Sequence, residues 1–153
     1  MQRPVFDEAK LSDVTEIIDS AAELMDTPDY RDDEASMKKL SELQNSLRQI
    51  TGRPDADIED YAEYWSYTDL DSAAIRALLP VPAKEDITDE RIREIILGMN
   101  GYEEYESEWY LAYLKLNTGI TDISNYIYFP DKAGLPRDAS SDQIAEKIIA
   151  DRK

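Results

Sequence analysis

Apolar residues recur along most of this chain at steps of three and four, the spacing that places them on one face of an α-helix. Val14, Ile17, Ile18, Ala21, Leu24 and Met25 form the first such stripe, opened by Ser12 as an N-cap and stopped before Pro28. Met37, Leu40, Leu43, Leu47 and Ile50 form the second, with Gly52 and Pro54 as its C-terminal stop. A carboxylate-rich turn at 55–57 then leads, with Asp57 as cap, into Ile58, Tyr61, Ala62 and Trp65. Thr68 with Asp71 makes a variant of the capping box ahead of Leu70, Ala73, Ala74, Ala77 and Leu78. Two prolines among three residues, Pro80-Val81-Pro82, cannot continue a helix. The reading therefore divides the chain into an N-terminal helical region, 1–84, and a C-terminal domain, 85–153.

Beyond the prolines, Thr88 is placed to cap a helix with Ile92, Ile95, Ile96 and Met99 inside, Ile87 is placed to staple against Ile92, and Asn100-Gly101 ends it. An acidic segment with Glu103, Glu104, Glu106 and Glu108 leads into 109–116, which is apolar almost all round. Such a helix calls for cover on more than one side. Asn117 and Gly119 read as its stop. Residues 122–130 are short and bounded by Pro130, so they fit either a lone strand or a single helical turn, and 126–129 carry the strand signal of the chain. Ser140 with Gln143 matches a capping box before Ile144, Ala145, Ile148 and Ile149. No repeat period emerges, and the expected class is all-α.

Charge narrows what such a protein can do. The 153 residues carry 34 Asp and Glu against 17 Lys and Arg, a formal net charge of −17. That surface repels nucleic acid and anionic membrane, and suits cationic partners. Both regions share the bias, with 9 basic against 19 acidic residues in 1–84 and 8 against 15 in 85–153. There is no Cys and no His, which removes disulfides, zinc sites built from either residue, and imidazole or thiolate chemistry. Five glycines form no phosphate-binding loop. Asp55, Asp57 and Glu59 alternate as calcium ligands do, but an EF-hand loop needs Gly sixth and Glu twelfth, where this segment has Asp60 and Ser66. Carboxylate pairs read as solvated helix faces, so neither an enzyme nor a metal or other cofactor is expected. The N-terminus lacks a signal-peptide layout and no apolar run reaches the roughly 20 residues of a membrane span, so the expected location is the cytoplasm.

Ten tyrosines and two tryptophans set among acids are the distinctive feature. Tyr102, Tyr105, Trp109, Tyr110 and Tyr113 form one concentration, and Tyr126, Tyr128 and Phe129 another. Tyr and Trp carry much of the energy of protein interfaces, while surrounding carboxylates speed encounter with a basic partner. Trp109 and Tyr113, four apart, read as core. For Tyr128, core and surface both stay open.

Residues 85–153 resemble the small immunity proteins of nuclease colicins and pyocins. Ile87-Thr88-Asp89-Glu90-Arg91-Ile92-Arg93-Glu94-Ile95-Ile96 is similar to that family's first helix, and the acidic stretch followed by 109–117 to its second. Asn125-Tyr126-Ile127-Tyr128-Phe129-Pro130 is similar to its hallmark Asp-Leu-Ile-Tyr-Tyr-Pro short third helix, and Ser140-Ser141-Asp142-Gln143-Ile144 to the start of its fourth. The resemblance implies a distorted four-helix bundle, here preceded by about four further helices. It also implies a non-enzymatic inhibitor that binds the nuclease domain of a cognate toxin beside its active site, touching neither nucleic acid nor membrane itself. Carried over residue by residue, it designates Tyr128 as the hallmark tyrosine, Phe129 and Asn125 as its substituted neighbours, and Glu103, Glu104, Glu106 and Tyr110 as second-helix contacts. Phe129 stands where the family has a second tyrosine and Asn125 where it has aspartate. The N-terminal region is expected to pack on the bundle and cover one side of the second helix. The alternative is an acidic interaction module unrelated to toxins, a regulatory adaptor or DNA mimic, in which Tyr128 and Phe129 are core.

Overall fold

The apolar stripes fall on helices that bury most of their residues, with Met37 left 40% exposed and Met99 placed in a 3-10 turn just past its helix. The computed structural model describes residues 4–64 and 69–153. Among these there are eight α-helices and no strand: α1 Leu11–Met25, α2 Glu34–Thr51, α3 Ile58–Ala62, α4 Leu70–Leu78, α5 Asp89–Gly98, α6 Glu104–Thr118, α7 Ile123–Tyr128 and α8 Ser141–Asp151. The chain forms two compact units, one spanning Val5–Pro80 and the other built on Val81–Lys153, each with its own apolar core.

In the first unit α1 packs against α2, α3 and α4. Its Val14, Ile18 and Ala21 meet Leu40, Leu43 and Leu47 of α2 and Ala74 and Ala77 of α4 in one buried cluster. The Val, Ile and Leu side chains among them contribute about 1.5 to 3 kcal/mol each when fully buried, the alanines less. Helix α1 does not start on a Ser12 cap. A single 3-10 turn, Glu8–Lys10, precedes it, Asp7 accepts the Ala9 amide at 3.0 Å, and Ser12 falls inside the first α-turn. The turn between α2 and α3 is tied down by α2 itself: Arg48 Nε donates to the Ala56 carbonyl at 2.9 Å, and Gln44 Oε1 accepts the Ile58 amide at 2.6 Å. Gly52 ends α2 with φ 70°, a left-handed conformation in which glycine carries no Cβ penalty. Asp57 caps α3 through the Glu59 amide. At α4 the cap is Asp69, whose carboxylate accepts the Ser72 amide at 2.8 Å. The expected cap Thr68 and the expected stripe residue Trp65 lie outside the described residues. Arg53 closes the unit by donating to the Leu79 carbonyl at the end of α4.

In the second unit α5 and α8 run antiparallel. Arg93 bonds Glu146 at 2.7 Å near their middles, while Asp89 at the start of α5 meets Arg152 just past the end of α8 at 3.3 Å. These pairs are partly exposed to solvent and set register more than stability. The stabilising contacts are Ile92, Ile95 and Ile96 against Ile144, Ala145 and Ile148. Thr88 caps α5 through the Arg91 amide, and Ser140 with Gln143 forms a full capping box on α8.

Helix α6 departs from its sequence reading in three ways. The acidic segment is its first turn rather than a lead-in, because Glu103 and Glu106 form a capping box in which the Glu106 carboxylate accepts the Glu103 amide at 3.2 Å. Its apolar run is not enclosed all round: Tyr110, Tyr113 and Leu114 are buried, whereas Ala112, Lys115 and Leu116 are exposed. Asn117 does not stop it. The helix continues to Thr118, and Gly119 at φ 73° is the C-cap. Asn117 is buried and works as a clamp instead. Its amide nitrogen donates to the Ala83 and Tyr113 carbonyls, both at 3.0 Å, and its oxygen accepts the Glu85 amide at 2.6 Å. The segment that follows the two prolines is thereby strapped to α6. Residues 123–128 are helical, which corrects the strand alternative for 126–129: the Ile123 and Tyr126 side chains, three apart, share one buried face.

Asn117→Ala removes three hydrogen bonds at once and leaves the Glu85 amide without its acceptor. Unfolding free energy should fall by about 2 kcal/mol, with loss of hydrogen-exchange protection at Glu85 ahead of the α5 amides. Equal protection in wild type and variant would show that the strap is held by packing alone.

Candidate protein-binding surface

Six residues cannot sustain a helix in water, so α7 owes its conformation to its surroundings. It packs on α6 and α8. Ile123 and Tyr126 point inward, and the Tyr126 hydroxyl donates to Asp151 Oδ2 on α8 at 2.7 Å. With that face fixed, Ser124 and Tyr128 turn outward and Asn125 is half-buried. The Phe129 amide closes the helix on the Asn125 carbonyl at 2.9 Å. Pro130 is buried and opens a 3-10 turn, Pro130–Ala133, in which the Lys132 amide donates to the Phe129 carbonyl at 2.9 Å. The outcome is two adjacent large rings, Tyr128 at 54% and Phe129 at 53% exposure. Elsewhere in this unit comparable rings are covered: Tyr110 and Tyr113 are buried, Trp109 is half-buried and stacks on Tyr113 with centroids 5.3 Å apart.

The other residues designated from sequence divide by burial. Glu103 and Glu104 are exposed at the start of α6, where carboxylates are also favoured by the helix dipole. Glu108, one turn further on, is exposed as well and belongs with them, although it was named only as part of the acidic run. Glu106 is buried, its carboxylate taken up by the capping box, so it is a fold residue rather than a contact. Tyr110 is also a correction. It is fully buried, its ring stacked on Tyr102 at 4.8 Å with the Arg91 guanidinium 5.9 Å from its centroid, and it has no surface to offer a partner.

Electrostatics follow from these contacts. Burial and the neighbouring Asp151 carboxylate push the Tyr126 phenol up to about 12, and the same hydrogen bond holds Asp151 below the usual carboxylate range. Burial raises Tyr110 and Tyr113, the latter helped by its 2.6 Å bond to Glu85. The carboxylates whose ionisation is displaced, Asp69, Glu146 and Asp151, are all displaced downward by hydrogen-bond donors. Among the described residues no group of three acids is placed to hold a metal ion, and no helix is long and apolar enough to cross a membrane.

Sequence reasoning missed Lys132. Its ammonium lies 4.8 Å from the centroid of the Phe129 ring. The available signal was a lone cation two residues after Pro130 in an acidic chain, but only folding sets it on that ring. No family model, curated protein or solved structure matches the chain. The class defined by fold and surface is therefore an all-helical acidic protein of two units, bearing an exposed aromatic pair on a short anchored helix.

Because the folded protein holds the Tyr126 proton more tightly than the unfolded chain, this group stabilises the fold below about pH 10, and that contribution is lost as pH rises toward 12. Tyr126→Phe should cost about 1 kcal/mol at pH 7 through the lost bond to Asp151, and should flatten the alkaline loss of stability. Tyr110 and Tyr113 keep some of that slope in the variant. Denaturant titrations at pH 7, 9 and 11 check both, and an unchanged alkaline slope would exclude Tyr126 as a source of it.

Proposed function

We propose that this protein is an immunity protein, which binds and inhibits the nuclease domain of a cognate bacteriocin or related polymorphic toxin without catalysing a reaction. The observation that carries the reading is the aromatic pair: Tyr128 and Phe129 stand half-exposed side by side on a helix whose other face is anchored. Rings held out by a rigid support are preorganised for a partner, and lose little rotamer freedom on binding. The reading is supported by the order of parts, since a capped helix, an acid-led helix, a short helix ending at proline and a capped last helix follow the resemblance stated above.

Charge supports the same partner. A nuclease domain has to hold nucleic acid and so presents a basic face, and a protein of net charge −17 is drawn to it before contact. Glu103, Glu104 and Glu108 would meet that face as exposed carboxylates, with Asn125 a half-buried neighbour of the rings. In this role the protein acts by occupancy: it covers the toxin's nucleic-acid path, and the excluded substrate, not a chemical step, explains inhibition.

Tyr128→Ala should weaken binding to a cognate toxin nuclease domain by about 30-fold, roughly 2 kcal/mol, while the circular dichroism spectrum stays that of wild type. Rising salt should slow association more than it speeds dissociation. Full affinity in Tyr128→Ala would remove the aromatic pair from the interface, and a wild-type protein that neither binds nor protects against cleavage would end the immunity reading.

A further inference from the structure

Lys132 is exposed, and among the described residues its ammonium enters no ion pair, although the chain carries 34 acids. Its neighbour Arg137 is already answered by Asp131 at 3.8 Å. Lys132 instead sits over the Phe129 ring, and the 3-10 turn holds the two residues in register through the 2.9 Å bond between their backbones. A positive charge parked on the ring that the partner has to accept is unexpected in a protein whose field favours basic partners.

From this we infer that the partner's surface is not uniformly basic where it receives Phe129: it carries a carboxylate, and Lys132 pairs with it in the complex. The inference rests on the immunity reading and specifies the partner further. When the Phe129 ring enters an apolar site, the turn carries Lys132 with it and strips water from the ammonium. A desolvated cation without a counter-charge opposes binding, so a tight complex requires an acid within reach. Lys132 then has two roles. In the free protein it covers one face of an exposed ring through a cation–π contact. In the complex it discriminates, because a basic nuclease domain lacking that acid would meet a buried, unanswered charge.

Long-range charge and this pairing predict opposite signs. Neutralising a lysine makes the protein still more acidic, which by itself should speed association with a basic domain and tighten binding. If the pair exists, Lys132→Met, which keeps the apolar stem, should instead dissociate about tenfold or more faster than wild type, without slower association. Lys132→Arg, which keeps the charge, should stay within about threefold of wild type. Stopped-flow or surface-plasmon kinetics against the cognate nuclease domain read both rates, and substituting that domain's Asp and Glu residues singly to Ala identifies the acid. One of them should be strongly non-additive with Lys132→Met, a coupling that a merely structural role for Lys132 would not produce. Wild-type or tighter binding by Lys132→Met overturns the inference, as does additivity with every acid, or equal weakening by Lys132→Met and Lys132→Arg. These results would leave the immunity reading standing if Tyr128→Ala still weakens binding, whereas a wild-type protein that fails to bind the domain overturns both.

Discussion

The surface of this protein depends on the burial of one face of a six-residue helix. Alone, α7 would be a fluctuating turn, since nucleating a helix fixes several dihedrals for its first hydrogen bond. Ile123 and Tyr126 supply the apolar anchor, and the Tyr126 hydroxyl on Asp151 adds a directional tie to α8. Rotation about the helix axis is then set, and with it the outward direction of Tyr128. Pro130, buried immediately afterwards, ends the helix and starts the turn that holds Phe129 and Lys132 together. Exposed rings are thus a consequence of what is buried beside them.

The end of α6 is the second point on which the unit turns. Asn117 satisfies the Ala83 carbonyl and Glu85 amide, groups that an irregular segment cannot pair within itself. One residue later the Thr118 carbonyl accepts the Lys153 amide at 2.9 Å, so the last residue of the described chain is seated against the same helix end. The close approach is possible because residue 119 is glycine: a Cβ there would stand 3.3 Å from that of Lys153, at a backbone φ of 73° that side chains rarely adopt.

Acidity is put to two uses. Part of it is local and structural: Asp7, Asp57 and Asp69 accept amides at helix starts, Glu103 and Glu106 close a capping box, and Glu146 and Asp89 align α8 with α5. The rest, exposed on every helix but α7, gives the chain its negative field. Such an excess lowers stability through self-repulsion, and is rational where fast capture of a basic partner is what matters.

All the helices except α7, and the all-α class with them, were determined by sequence alone, because periodic burial and capping depend on residues within about four positions of one another. Thr88, Asp57, Gly52 and the Ser140 box act as their immediate neighbours dictate. Where local signals compete, tertiary structure decided. Ser12 is as good a cap as Asp7 by type, yet the packing of α1 admits an extra 3-10 turn before it. Residues 126–129 have strand composition, yet α6 and α8 bury the 123 and 126 side chains together, a spacing that only a helix offers. Tyr110 and Tyr128 are the same residue type in similarly acidic and aromatic surroundings, and one is core while the other is surface. Glu106 and Glu108 divide in the same way. Burial is a property of what covers a residue, and the covering elements lie tens of positions away, so which aromatic and which acid stay on the surface could be settled only once the helices had packed.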